Sequence, residues 1–142
     1  MVSDQPPWSA VLALQQAAHA SLHVLSAQLA DLGLTGSELN AMANLPADQG
    51  RTVSDLAAAA GLRATTMTSV LDRLAGRGLI TRRSAPGDRR AVLVELTASG
   101  QPAAAKIREA IFSLERRALA DLPADAIAGL RDGLRALAEV EP

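Results

Sequence analysis

From Gln5 to Ala30 the chain carries no Asp, Glu, Lys or Arg. A segment of that length without charge has few places to go. A membrane span is the first reading, but its content argues against it. Gln15, Gln16, His19, His23, Gln28 and the serines Ser9, Ser21 and Ser26 are costly in hydrocarbon, and much of the apolar remainder is Ala. Val11, Leu14, Ala18, Leu22, Leu25 and Leu29 recur at spacings of three and four, which predicts a helix over residues 8–30. A soluble helix with no charged face is expected to be covered by protein around most of its circumference. In a chain of 142 residues the expected cover is a second copy of the same chain. Met1–Asp4 holds no Lys or Arg, so it lacks the basic start of a secretory signal.

Composition removes several function classes. There is no cysteine, which excludes disulfides, thiolate metal sites and thiol chemistry. Trp8 and Phe112 are the only aromatic residues, too few for a base-stacking platform. Ala and Leu dominate the apolar residues, which favours helices. No Gly-rich phosphate loop and no nucleophile motif is present, so no enzyme and no cofactor is expected.

Helix signals then follow in close order. Thr35 and Glu38 read as a capping box, with Leu34 and Leu39 at the staple positions, and the helix they start is expected to run to about Leu45 before Pro46. Thr52, with Asp55 three residues on, caps a short helix that Gly61 closes. Another helix is predicted from about Arg63 to Gly76, its inner face Met67, Val70, Leu71 and Leu74. Two short helices around a Gly turn read as a helix-turn-helix. The period then changes. Residues 79–81 and 91–96 read as strands, separated by a basic segment containing Pro86, Gly87 and Asp88. A hairpin with a basic tip directly after a helix-turn-helix defines a winged helix. Thr97 caps the next helix, whose stripe is Ile107, Ile111, Leu114 and Ala118; Pro102 is expected to kink it or delay its regular start. The last helix begins near Pro123 and carries Ile127, Leu130, Leu134 and Leu137.

The formal net charge of −1 speaks against nucleic acid, but its distribution does not. Residues 51–90 contain eight arginines and three aspartates, a net of +5; the rest of the chain nets −6. The basic block coincides with the helix-turn-helix and the hairpin, and every cation in it is Arg, the side chain suited to phosphate, guanine and minor-groove contacts.

Residues 52–100 resemble the winged-helix core of the MarR family of bacterial transcription regulators. The resemblance rests on Leu71-Asp72-Arg73-Leu74 through Gly78-Leu79-Ile80, on the Asp-x-Arg wing motif matched by Asp88 and Arg90, and on Leu96-Thr97. It implies a mainly α fold with a small β-hairpin: residues 1–34 a dimerising helix, 35–97 the DNA-binding core, 98–142 dimerising helices. It implies a homodimer. It puts Arg63, Ala64, Thr65, Thr66, Thr68 and Ser69 at the major groove, with Thr66 the hydroxyl expected to cap or turn inward. Arg73, Arg89 and Arg90 join them as DNA contacts, Arg90 in the minor groove. It pairs Asp88 with Arg73 to brace the wing. Arg63 and Ser69 depart from the family's usual capping and longer polar residues, so no operator sequence carries over.

Many proteins of that family take small, often aromatic acids between their dimerising and DNA-binding parts. The residues that suit such a pocket here are Trp8, Gln15, Gln16, His19 and His23. His19 and His23 stand four apart, on one helical face; that spacing suits two metal ligands and equally two packed histidines, and no acidic residue on the helix completes a metal site. The expected function is a cytoplasmic, ligand-responsive, sequence-specific repressor that binds double-stranded DNA as a homodimer on a pseudo-palindromic operator, without membrane attachment. The alternative is a winged helix that binds protein.

Overall fold

The computed structural model describes residues 8–142. Residues 1–7, with the Met1–Asp4 segment read above for a signal, lie outside the described residues. The order is α1 (Ala10–Gln28), a 3-10 turn (Ala30–Leu32), α2 (Gly36–Ala43), β1 (Arg51–Thr52), α3 (Val53–Ala60), α4 (Ala64–Gly76), β2 (Ile80–Ala85), β3 (Asp88–Leu96), α5 (Gly100–Ala118) and α6 (Ala124–Ala138). The fold is the winged helix, with six helices and a small antiparallel sheet. The described residues form two compact units: 25–111, and 8–24 together with 112–142.

In the unit 25–111 the local start signals act as their chemistry requires. The Thr35 hydroxyl accepts the backbone N–H of Glu38 at 3.2 Å, and that of Thr52 accepts the N–H of Asp55 at 3.1 Å. The reciprocal half of the expected capping box does not form, because the Glu38 carboxylate is engaged by Arg73. Helix α2 stops at Ala43, short of Leu45. Gly61 closes α3 at φ +67, a conformation a side chain would strain, and so permits the tight turn into α4. Arg63 occupies the N-cap of α4 without a side-chain bond.

The sheet order is β1-β3-β2. Arg51 and Thr52 pair with Val94 and Leu93. The hairpin is longer than the apolar runs suggested: pairing extends from Ile80 with Leu96 out to Ala85 with Asp88, with one irregularity between Ser84 and Ala85. Pro86 and Gly87 alone make the turn, so the basic segment is itself strand. Backbone hydrogen bonds form the ladder, and exposed arginines can ride on it.

Leu39, Met42, Leu45, Leu56, Met67, Val70, Leu71, Leu74, Ile80, Val94 and Ile107 form the core of this unit. Full burial of each larger aliphatic side chain contributes about 1.5–3 kcal/mol. The start of α5 is fixed against the sheet. The Thr97 hydroxyl donates to the Gly78 carbonyl at 2.6 Å and accepts the Gly100 N–H at 3.0 Å. Regular helix begins at Gly100, after Thr97 has capped it, because Pro102 has no N–H to give the Ala98 carbonyl four residues back. Of the two outcomes expected for Pro102, the late start is the one observed.

In the other unit, α1 and α6 contain no buried residue. Trp8, Val11, Leu12 and Leu22 are exposed on the first helix and the residues before it; Phe112, Leu122, Leu130 and Leu134 are exposed on the C-terminal segments. Among the described residues no helix is long and apolar enough to cross a membrane.

Candidate nucleic-acid interface

Helix α4 is amphipathic in the strict sense. Met67, Val70, Leu71 and Leu74 are buried at spacings of three, one and three, which leaves the opposite face to Arg63, Ala64, Thr65, Thr66, Thr68 and Ser69, all exposed. One hydroxyl is already engaged. Thr68 Oγ1 donates to the Ala64 carbonyl at 3.0 Å, one turn back. The hydroxyl expected to be tied locally was that of Thr66, which is instead exposed. The bond needs a carbonyl four residues earlier, and Ala64 opens the helix.

The eight arginines of the basic block separate into two groups. Four are turned to the protein. Arg73 Nε donates to Glu38 Oε1 at 3.0 Å; Arg82 Nη1 donates to Asp72 Oδ1 at 2.6 Å; Arg83 pairs with Glu95 at 2.6 Å. Arg77 donates to the carbonyls of Leu32 and Gly33. Among the described residues Arg51, Arg63, Arg89 and Arg90 enter no ion pair. Residue counting therefore overstates the charge offered outward, because half of the arginines are engaged within the fold.

The expected wing brace is corrected by this geometry. Asp88 does not reach Arg73. Its carboxylate accepts the backbone N–H of Arg90 at 2.9 Å, a short local loop that fixes the first residues of β3. Arg73 faces α2 because Glu38, with 5% of its side chain exposed, needs a cation once removed from water. The wing is braced instead by Arg82 of β2 on Asp72 of α4, the neighbour of the residue that was expected to do it. Both members are partly exposed, so the pair orients more than it stabilises.

Between the wing, α4 and the first turn of α3 lies an open groove of about 860 Å³. Thr68, Arg82, Asp88 and Arg90 line it, with Ser54 and Asp55 from α3. Thr68 and Arg90, on separate elements, are thus brought to one surface. Arg63, Thr65, Thr66, Ser69 and Arg89 do not line the groove. Arg89 precedes Arg90 on the exposed start of β3.

The residues expected around a small-molecule site are placed differently. Gln15, Gln16, His19 and His23 are all exposed on α1, and Trp8, before it, is 83% exposed. Among the described residues no group of three or more His, Asp or Glu could hold a metal ion.

Residues 34–92 match the model of the MarR family. No curated protein matches the chain significantly. Solved structures match over nearly its whole length. NadR in complex with 4-hydroxyphenylacetate is 25% identical with a TM-score of 0.84, over 99% of this chain and 100% of that one. CouR from Rhodococcus jostii RHA1, bound to p-coumaroyl-CoA, is 22% identical with a TM-score of 0.85, over 99% of each chain. Apo MarR from E. coli is 22% identical with a TM-score of 0.72, over 93% of this chain and 98% of that one. The matched segment takes in the helix-turn-helix and most of the hairpin: residues 34–92 are a MarR-family domain, set in a chain with the fold seen in solved MarR-family transcription regulators.

Proposed function

We propose that this protein is a homodimeric transcription regulator that binds double-stranded DNA in a sequence-specific way, most simply as a repressor. One observation carries the reading. Thr68 of α4 and Arg90 of the wing line one groove, on a domain whose Arg63, Arg89 and Arg90 enter no ion pair. In this reading α4 enters the major groove through Arg63 to Ser69, and its hydroxyls reach phosphates and base edges. Arg90, with Arg89 beside it, enters the minor groove, where a guanidinium suits the negative potential. Arg73 orients α4 through Glu38, and Asp72 with Arg82 holds the wing at the angle that lets both elements engage one duplex.

The second copy accounts for the apolar exposure of the unit 8–24 with 112–142. Helix α1 has no fully buried residue within its own protomer, carries no charge and exposes Val11, Leu12 and Leu22. A partner copy would remove that surface from water. The ligand of this class of regulator is proposed to be a small aromatic acid, since the structure 25% identical to this chain holds 4-hydroxyphenylacetate. Trp8, Gln15, Gln16, His19 and His23 then serve as its polar and aromatic wall once a partner encloses them. By binding one arrangement of the two DNA-binding domains better than another, such a ligand would shift their spacing.

The test is duplex selection in vitro, followed by titration of the selected site at several salt concentrations. Phosphate contacts by Arg63, Arg89 and Arg90 in each of two copies predict a log–log slope of about −5. A slope near zero, or selection of no duplex, would reject DNA binding and favour a protein partner for the winged helix.

A further inference from the structure

We propose that Arg77 is a positioning residue: it clamps the chain between α1 and α2 onto the end of α4 and so fixes where the recognition helix sits in the dimer. This rests on the reading of the protein as a dimeric DNA-binding regulator. Arg77 directly follows α4, at its C-cap. Its two terminal nitrogens donate to successive carbonyls, Nη1 to Gly33 at 2.9 Å and Nη2 to Leu32 at 2.7 Å. A planar fork on two adjacent acceptors fixes orientation as well as distance, which a single bond does not.

The acceptors are suited to a cation. Leu32 ends the 3-10 turn, and the last carbonyls of any helical turn lack partners within it and carry partial negative charge. Gly33 then reverses the chain at φ +63. Arg77 Nη1 lies 3.7 Å from the point a Cβ would occupy there, so the guanidinium rests against a residue with no side chain. The same 3-10 turn is held from α5, where Lys106 pairs with Asp31. Just before it, Leu29 is buried in the core at 3% exposure. The segment that follows α1 is therefore gripped by α4 and α5, and a displacement of it is passed to α4.

Arg77 belongs to the basic block by sequence but is spent inward. It is exposed, so its two bonds compete with water and add little to stability. That separates positioning from bulk stabilisation and makes the two distinguishable.

The chain has no cysteine, so Ala59→Cys, on the exposed side of α3, gives one spin-label site per copy. Inter-label distances are measured in the dimer with and without Arg77→Ala, and DNA affinity is measured on the selected operator with half-site spacing one base pair longer or shorter. The expected result is a broader distance distribution and a preference among spacings reduced by about threefold or more, a size typical of lost coupling between elements. Arg77→Lys, which keeps the charge and loses the fork, should recover only part of both. An unchanged distribution and spacing preference in Arg77→Ala overturns the clamp, and so does full recovery by Lys. If the wild-type protein selects no duplex, the DNA reading falls, while the label distances still decide the clamp.

Discussion

Gly100→Ala should destabilise the protein, although it replaces a poor helix former by the best one. Gly100 is buried at the start of α5, where it meets the backbone of Leu79 across the chain reversal after β3. A Cβ built there lies 1.9 Å from the Leu79 carbonyl oxygen and 2.9 Å from its carbon. Carbon and oxygen do not approach closer than about 3.3 Å even in favourable contact, so the two backbones must part by about 1.4 Å. That carbonyl accepts the Thr97 N–H at 3.1 Å, and Thr97 in turn caps α5. The movement thus strains a hydrogen bond worth about 1 kcal/mol in addition to an overpacking cost of about 1–3 kcal/mol. Against this stands a helix-propensity gain of at most about 1 kcal/mol. The overlap wins, and the net loss is about 1–3 kcal/mol. Urea unfolding followed by circular dichroism would read it as a lower midpoint at unchanged slope. A midpoint equal to or above wild type would refute the argument, because it would mean α5 is free to move off the sheet.

Three further outcomes are expected. Arg90→Ala should weaken DNA binding at least about tenfold while the dimer stays intact in sedimentation, since Arg90 makes no ion pair whose loss would disturb the fold; unchanged affinity would remove the wing from the interface. Leu22→Glu should give monomers or unfolded chain in the same measurement, because it would bury a charge in the second-copy contact proposed for α1; a stable dimer would place that contact elsewhere. Asp31 has its carboxyl held below the usual range chiefly by the hydrogen bond from Lys106. The link therefore stabilises at pH above the ordinary carboxylate value and is lost as pH falls through the lowered one. In Lys106→Met the NMR titration midpoint of Asp31 should rise toward the ordinary value, and an unmoved midpoint would deny the pair in solution.

Much of the fold was legible because its signals are local. Thr35 and Thr52 reach an N–H three residues on, Gly61 answers a backbone angle, and the burial of Met67, Val70, Leu71 and Leu74 follows from helical period alone. The site was legible as a set of residue types. Motif order and the separation of charge along the chain pointed to the helix-turn-helix and the basic hairpin, and the family resemblance implied Arg63 to Ser69, Arg89 and Arg90 within them. The hairpin's length was not, since β-ladders bond backbone to backbone and side-chain type marks them weakly.

What only the tertiary structure decided is which charge meets which. Glu38 had a local partner available in the Thr35 N–H, yet it takes Arg73 from 35 positions away, because a carboxylate removed from water is served better by a guanidinium than by one amide. Asp88 had a distant partner expected of it and takes a local one. Arg77, one of eight similar arginines in the sequence, finds two carbonyls more than forty positions earlier. The charge-free run from Gln5 to Ala30 shows the same division. Its periodicity and its lack of charge, properties of the segment itself, pointed to the helix that is found over Ala10–Gln28. How much of that helix its own protomer covers depends on packing between distant segments, and in α1 the protomer buries no residue.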